Sequence, residues 1–457
     1  MFLTNNTKFI SNLKLFDWFV FSYILLILLT RQVPYHQFFS YGSTTLLLIV
    51  YLSRKLLLDS SIHFPAPVFI LIVGYYLFSV FISLLFSNYM LAGSQQLARE
   101  IAFFLILFIF FDYVRSQRQW ETIVLALVWC GGLAVLSILM EGLYVFFSGG
   151  DLLGGDARIG GIFANPNVAG LLISICFPVT IGFLQWKQAT QVKNMHLFIS
   201  VTILLTFVAA VLTVSRGLFL GFFFSMIFLH FEGVWKVRYK LFLVLASVLL
   251  IVLVLGLFFI DTEMLASFKI SMRLDRGLAG RGFIWERAWE IFYAHPILGT
   301  GPGTFLHYIL SPAELRPYGT VEYIRYMYFQ HADMSLMHVP GIFSGVISNS
   351  AHNLWLDTAA NTGIVGVIAV ALIFLVFGVV AMNKLHVFQR NKQEPYYWVV
   401  RGCLVGLFVF FLRSQFEVSG ILRGALSESL PLWLTFLLII SCPIEAKAKS
   451  GDTKEQL

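Results

Sequence analysis

The sequence predicts an all-α polytopic membrane protein with about twelve transmembrane helices and one large extracytoplasmic loop. Of the 457 residues, 58% are hydrophobic and only 12% are charged, which is too little polar surface for a soluble domain of this length. The hydrophobic residues also gather in runs of about 17–25, the length of a helix that crosses a bilayer. These segments should be helical because a backbone in lipid must satisfy its hydrogen bonds internally.

The hydrophobic runs divide the chain into a membrane domain and one long insertion. Residues 1–260 should hold transmembrane helices 1–9, residues 261–352 the large loop, residues 353–445 transmembrane helices 10–12, and residues 446–457 a cytoplasmic tail. A loop of about ninety residues usually has a function of its own. The expected spans are 13–30, 43–58, 66–87, 98–114, 120–147, 168–186, 195–214, 217–232, 238–260, 353–382, 396–416 and 425–442.

Basic residues predict the orientation of the chain. Loops on one side are rich in lysine, for example Lys187 and Lys193, and the positive-inside rule makes that side cytoplasmic, with both termini. On the outer side the basic residues are arginines, apart from Lys269. Arginine binds phosphate oxygens through two parallel hydrogen bonds, although it also extends toward lipid headgroups at a membrane face. The net charge of +7 is spread over short loops, so nucleic acid is not an expected partner.

The large loop begins with a section rich in arginine, glycine and aromatic residues. Arg276, Arg281 and Arg287 lie around the glycines of RGLAGRG, and flexible backbone beside guanidinium groups is suited to bind an anion. The stretch Phe283–Ala294 has helical periodicity. This helix should lie either on the membrane surface or against the other spans.

The stretch SAHNLWLDTAANTGIVG joins the large loop to the tenth span. Ser350 or Asn353 should cap the helix that begins there, which places His352 near a helix N-terminus at the outer membrane face. A helix N-terminus disfavours the imidazolium form, and a neutral imidazole is what a general base requires. The alternative is an interfacial histidine without a chemical role. Gly363 and Gly366 should allow close helix packing.

Two further stretches place polar residues between hydrophobic runs at the outer side. In TVSRGLF, Arg216 separates two spans with almost no loop. Ionisable residues at such positions are usually functional, the alternative being an arginine that reaches lipid headgroups. In RIGGIFANPNVAG, Asn165 and Asn167 either form a turn and an N-cap or present their amides to a sugar. Arg158 begins this second stretch.

Together these stretches resemble the superfamily of O-antigen ligases and O-antigen polymerases, bacterial inner-membrane enzymes that include protein O-oligosaccharyltransferases. Its ligases carry a His-Asn pair, nine residues, Gly, two residues and Gly, and His352-Asn353 precedes Gly363 and Gly366 at this spacing. TVSRGLF is similar to the arginine hairpin of the family. The resemblance runs from about residue 155 to 385 and implies a GT-C-like membrane fold.

The resemblance also implies an activity, the inverting transfer of a glycan from undecaprenyl pyrophosphate to a hydroxyl group. The acceptor is implied to be lipid A-core, a second glycan or a protein, and the reaction to need no metal or cofactor. His352 is the implied catalytic base, and charge-assisted hydrogen bonds from arginine stabilise the departing pyrophosphate. The implied pyrophosphate-binding residues are Arg216, Arg281, Arg287 and Arg276, and weaker candidates for substrate binding are Asn165, Asn167, Arg158, Asn353 and Asp357.

A transporter or flippase of lipid-linked sugars is the alternative from a different functional class. Transporters usually place ionisable residues near the bilayer midplane and often contain inverted repeats. Here the charges gather at one expected face, beside one long loop, which favours an enzyme. Within the superfamily, the His-Asn motif with its two glycines favours a ligase over a polymerase, and a protein O-oligosaccharyltransferase is a further alternative.

Overall fold

The computed structural model of the chain describes residues 15–30, 36–58, 61–150, 159–163, 165–190, 195–230, 281–305, 308, 350–390, 394–415 and 426–442. Among these residues the secondary structure is helical, with no strand. The helices are α1 (Leu15–Leu29), α2 (His36–Leu58), α3 (Pro67–Leu85), α4 (Met90–Tyr113), α5 (Gln117–Phe147), α6 (Pro166–Ala189), α7 (Met195–Thr213), α8 (Arg216–His230), α9 (Arg281–Ala294), α10 (Leu354–Arg390), α11 (Glu394–Arg413) and α12 (Leu426–Ile440).

The described helices support a membrane protein. Seven of them are long and apolar enough to cross a bilayer, namely α3, α4, α5, α6, α7, α10 and residues Tyr396–Arg413 of α11, and α1, α8 and α12 contain shorter apolar helices. The all-helical prediction is therefore confirmed for the described residues, whereas the count of about twelve spans stays a prediction. The expected span 238–260 and most of the large loop lie outside the described residues.

One helix begins earlier than its hydropathy indicates. The fourth span was expected from residue 98, but α4 begins at Met90. Its first turns contain Glu100, which is buried and accepts a hydrogen bond from Gln96 Nε2 at 2.9 Å. A polar pair one helical turn apart satisfies part of this carboxylate and keeps the segment helical, although it lowers the hydropathy from which spans are predicted.

The centre of the bundle is α6, which packs against α5, α7, α8 and α11. In its most apolar window 83% of residues are buried, against 28% in α7, so α7 lies at the periphery of the bundle. Glycines let α6 and α11 approach closely: a Cβ at Gly182 would overlap the carbonyl of Trp398, and one at Gly402 would overlap the carbonyl of Pro178. Small residues at helix crossings are how membrane helices pack without a hydrophobic driving force.

These crossings fix the directions of α6, α8 and α11. The contacts pair Gly182 with Trp398 near one end of α6 and Gly170 with Arg413 near the other, so α6 and α11 are antiparallel. In the same way, α8 meets the C-terminal end of α11 with its first turn. One end of the bundle therefore contains the starts of α6 and α8 and the end of α11.

The helix of the large loop, α9, packs on the start of α10. Ile284, Ala288 and Ile291 on one face of α9 are buried with Phe305 and the first turns of α10. The sequence left two placements open for this helix, on the membrane surface or against the other spans. The structure contains the second, because α9 packs on α10.

Candidate active site

His352 lies immediately before α10, in an unusual backbone conformation. Its φ is 48°, in the left-handed region, and its side chain is half-buried. Non-glycine residues rarely adopt this conformation, although histidine does so more often than most. Backbone strain of this kind persists only where the surrounding structure holds it, and it is concentrated at functional sites.

The peptide that precedes His352 is held from both sides. The backbone N–H of Ala351 donates to Asp357 Oδ1 at 3.1 Å, and the indole Nε1–H of Trp285 donates to the carbonyl oxygen of Ala351 at 3.0 Å. Ala351 and Asp357 are fully buried, so water does not compete for these hydrogen bonds. The two contacts fix the backbone from which the imidazole projects.

These contacts give Asp357 a structural position that the sequence did not indicate. Asp357 was a weaker candidate for substrate binding, yet it has no exposed surface. Its carboxylate instead accepts from the chain just before His352. Trp285 was not among the predicted site residues, because nothing local indicates that its indole reaches a residue far along the chain.

Asn353 caps α10 and ties it to the end of α11. Its Oδ1 accepts hydrogen bonds from the backbone N–H groups of Trp355 and Leu356, at 2.9 and 3.1 Å, which is N-cap geometry. Its Nδ2 donates to the carbonyl of Gln415 at 2.9 Å, and the N–H of Leu354 donates to the carbonyl of Ser414, also at 2.9 Å. Of the two residues expected to cap this helix, the structure uses Asn353.

Gly363 interrupts α10 and admits a segment of the large loop. Its φ is 64° and its ψ is −163°, and a Cβ there would overlap the carbonyl of Ile297. The next residue, Ile364, donates its N–H to the carbonyl of Pro296 at 2.9 Å. Gly363 was expected to pack against another span, but its close neighbour is this turn of the loop segment. Gly366 makes space within α10 itself, since a Cβ there would overlap the hydroxyl of Thr362.

Asn361 fastens the same loop segment to α10. Its side-chain Oδ1 accepts from the N–H groups of Thr304 and Phe305, each at 3.1 Å, and its backbone carbonyl accepts from Gly301 N–H at 2.9 Å. Ser83 Oγ of α3 donates to that carbonyl at 2.8 Å. Sequence reasoning missed this residue, although a lone asparagine within the apolar face of a helix was a usable signal.

Arg216 is the first residue of α8 and is exposed. The prediction of a hairpin with almost no loop is confirmed, since α7 ends at Thr213. Val214 in this turn has a φ of 48°, which is a genuine strain for a β-branched residue. The carbonyl of Ser215 accepts from the N–H groups of Leu218 and Phe219, at 2.9 and 3.0 Å, so that α8 starts abruptly.

The last turn of α11 joins the hairpin of Arg216 to the motif of His352. Arg413 is buried, and its Nη2 donates to the carbonyl of Asn167 at 2.5 Å. Its Nη1 lies 2.7 Å from where a Cβ on Gly217 would be. The two residues that follow Arg413 accept the hydrogen bonds from Asn353 and Leu354. The starts of α6, α8 and α10 therefore converge on one short stretch.

The remaining candidates have varied positions. Asn165 caps α6, with its Oδ1 accepting from Asn167 N–H at 2.9 Å. Arg287 pairs with Glu290 on α9 through Nη1 and Oε2 at 2.7 Å, a partly exposed pair that contributes little stability. Arg281 begins α9, with its side chain outside the described residues, and Arg158 and Arg276 lie outside them altogether.

The chain just after Arg158 is anchored to α5. Glu141 Oε2 accepts from the N–H groups of Gly160 and Gly161, at 2.9 and 2.6 Å. Gly161 has a φ of 66°, and a Cβ there would overlap the hydroxyl of Ser137. A carboxylate that accepts two backbone hydrogen bonds fixes this turn. Within the part of the chain that the structure describes, no group of three or more His, Cys, Asp or Glu is arranged to hold a metal ion.

Comparison with known proteins agrees with this picture. Residues 201–371 match the family model Wzy_C, described as O-antigen ligase. The match runs from α7 into α10 and contains both Arg216 and His352. No curated protein matches the chain. The resemblance seen in the motifs is confirmed over this stretch: residues 201–371 are similar to the O-antigen ligase family, which supports the O-antigen ligase and polymerase superfamily.

Proposed function

We propose that this protein is a membrane glycosyltransferase of the O-antigen ligase type, which moves a glycan from undecaprenyl pyrophosphate to an acceptor hydroxyl. The observation that carries the proposal is the convergence of the Arg216 hairpin and the His352 motif on the end of α11. A lipid-linked donor needs its diphosphate at the membrane surface and its polyprenyl chain among apolar helices. An exposed arginine at the start of an apolar helix meets the first need, and the surrounding bundle meets the second.

In the proposed reaction, His352 is the general base. Its imidazole takes the proton of the acceptor hydroxyl as the oxygen attacks the anomeric carbon from the face opposite the diphosphate. The new carbon–oxygen bond forms as the bond from the anomeric carbon to the diphosphate oxygen breaks, and the electron pair leaves with polyprenyl diphosphate. General base catalysis of this kind contributes about 10²–10⁴-fold.

Arg216 stabilises the negative charge that develops on the departing diphosphate. It stands at the start of α8, where the helix dipole is positive, so that guanidinium and helix end attract the same anion. Charge-assisted hydrogen bonds to phosphate oxygens are among the strongest that a protein makes. Arg281 and Arg287, with Arg276, are the further arginines that we propose for this task, with the site on the extracytoplasmic side of the bacterial inner membrane.

The residues that hold the backbone on either side of His352 have a separate role in this scheme. Asp357 and Trp285 hold the peptide before His352, and Asn353 holds the helix that follows it. A base held in this way loses little orientational freedom when substrate binds, and such preorganisation contributes to rate.

Deletion of the gene, followed by analysis of surface glycans and lipid-linked intermediates, tests the proposal. A ligase leaves complete glycan chains on the carrier lipid, and the surface lacks them. Single repeat units on the carrier lipid would instead indicate a polymerase, and unmodified glycoproteins a protein O-oligosaccharyltransferase. Normal surface glycans together with normally modified glycoproteins in the deletion strain would refute all three activities, and lipid-linked glycans held on the cytoplasmic side would indicate a flippase.

A further inference from the structure

The C-terminal residue of α11, Arg413, lies where the parts of the proposed site meet. Only 4% of Arg413 is exposed, and it touches the starts of α6 and α8 at once. We propose that Arg413 is a positioning residue of the transferase, which aligns Arg216 with His352. This inference rests on the proposed function, and it adds a residue that neither the motifs nor the family match identify.

The space around the guanidinium of Arg413 exists because two neighbours are glycines. A Cβ on Gly217 would lie 2.7 Å from Nη1 and 3.0 Å from Cζ, closer than real Cβ atoms come. A Cβ on Gly170 would lie 3.4 Å from Nη1 and 2.9 Å from Ser215 Oγ. Glycine at both places opens a slot between α6 and α8, and the planar guanidinium occupies it.

The guanidinium of Arg413 lies between a helix end that favours a cation and one that disfavours it. A cation gains stability at the C-terminal end of a helix and loses it at the N-terminal end, by about 0.3–1 kcal/mol at exposed positions. Arg413 is the last residue of α11, where the dipole of that helix favours it, but its guanidinium lies against the N-terminal turn of α8, beside Gly217 and so next to Arg216 in sequence. Two guanidinium groups and a helix N-terminus together make this a region of positive potential, which suits the diphosphate of the proposed donor.

The same helix contains a matched arginine with the opposite placement. Arg401 is also buried, and its Nη2 donates to the carbonyl of Phe228 at 2.6 Å. That carbonyl belongs to the last turn of α8, where the helix dipole favours a cation. The guanidinium of Arg401 thus meets the favourable end of α8, whereas that of Arg413 meets the unfavourable end. Their contrast separates a structural role from a positioning role.

Arg413 acts through its neighbours, because its burial keeps it away from substrate. Through Asn167 it holds the first turn of α6, and through Gly217 it meets the backbone beside Arg216. The next residues, Ser414 and Gln415, hold the first residues of α10 beside His352. A shift of about 1 Å in a catalytic group costs on the order of 10²-fold in rate, so loss of this link should lower kcat strongly.

The test compares Arg413→Met and Arg413→Lys with Arg401→Met in purified full-length protein. The donor is the lipid-linked glycan extracted from the deletion strain, and kcat, KM and the midpoint of thermal unfolding are measured for each. We expect Arg413→Met to lower kcat per folded protein by about 10²-fold. Arg413→Lys should not restore it, because an ammonium group cannot both donate to Asn167 and fill the slot beside Gly217 as a planar guanidinium does. Arg401→Met should lower the unfolding midpoint and leave kcat per folded protein unchanged.

Gly217→Ala is a second route to the same displacement, should Arg413→Met fail to fold. The added methyl group forces the flexible end of Arg413 out of its slot, while alanine itself favours the helix by about 1 kcal/mol. This variant should therefore fold and should show the same loss of kcat as Arg413→Met.

Combination with Arg216→Ala isolates the link between the two arginines. If Arg413 positions Arg216, Arg413→Met adds less than about threefold to the loss in an Arg216→Ala background, because coupled residues are not additive. An equal loss in both backgrounds, a wild-type kcat in Arg413→Met or Gly217→Ala, or rescue by lysine would overturn the inference and leave the proposed function in place. Wild-type turnover in Arg216→Ala itself would instead contradict the proposed function.

Discussion

Trp285→Phe removes one hydrogen bond from the backbone that carries His352. The substitution keeps a ring on α9 and deletes the indole N–H that donates to Ala351 at 3.0 Å. Because Ala351 is fully buried, the carbonyl is left without a water to replace the indole. An unsatisfied buried carbonyl costs about 1–3 kcal/mol.

That cost should appear mainly as a loss of rate. His352 has a φ of 48°, so the chain relaxes toward an ordinary conformation once one of its two restraints is gone. If the full 1–3 kcal/mol is lost from the transition state, kcat falls by about 5- to 150-fold, since 1.36 kcal/mol corresponds to tenfold. KM should change little, because the imidazole contributes to the reaction step more than to donor binding.

The assay measures glycan transfer by purified protein, with lipid-linked glycan from the deletion strain as donor. Trp289→Phe is the matched control: it lies one turn further along α9, is 46% exposed, and stacks on Tyr293. The control should keep wild-type kcat. Wild-type kcat in Trp285→Phe, or equal losses in both variants, would refute the view that the Ala351 peptide positions the base.

The remaining predictions concern other parts of the site. Asp357→Ala should lower kcat at least tenfold, because it deletes the acceptor for the Ala351 N–H, whereas Asp357→Asn keeps an oxygen and should be milder in the same transfer assay. Gly363→Ala should lower the free energy of unfolding by more than about 1–2 kcal/mol, since φ is 64° and the methyl group meets the loop. The control is Gly378→Ala, in the same helix with open space around it, which should be neutral or stabilising. Thermal unfolding measures both. Arg216→Lys should lower kcat more than it raises KM for the donor, because an ammonium group cannot hold phosphate bidentately. Transfer should persist in EDTA, and a complete loss would refute the arginine scheme.

The sequence predicted those features of the fold and site that local patterns determine. Apolar runs gave the helices, and a charge between two runs without a loop gave the tight hairpin at Arg216. The position of His352 before a capped helix also followed, because an asparagine before an apolar run is a local signal for an N-cap. Each of these predictions depends on residues within a few positions of one another.

The features that the sequence did not predict depend on partners far along the chain. Gly363 was expected to face another span, but its neighbour is the loop segment near Ile297, which only the fold brings there. Asp357 is buried in a part of α10 on which α9 packs, and α9 comes from much earlier in the chain. Arg413 was one of many arginines at the outer ends of spans, and nothing near it in sequence points to Asn167 or Gly217.

The most direct test of the account is to measure turnover and donor binding together in His352→Ala. We predict that transfer falls by about 10²–10⁴-fold while binding of the lipid-linked glycan stays at the wild-type level, because a base acts on the acceptor proton and not on the diphosphate. His386→Ala, an exposed histidine near the other end of α10, is the control and should transfer normally. Wild-type transfer by His352→Ala would contradict the account, and unchanged movement of lipid-linked glycan across the membrane would then favour a flippase.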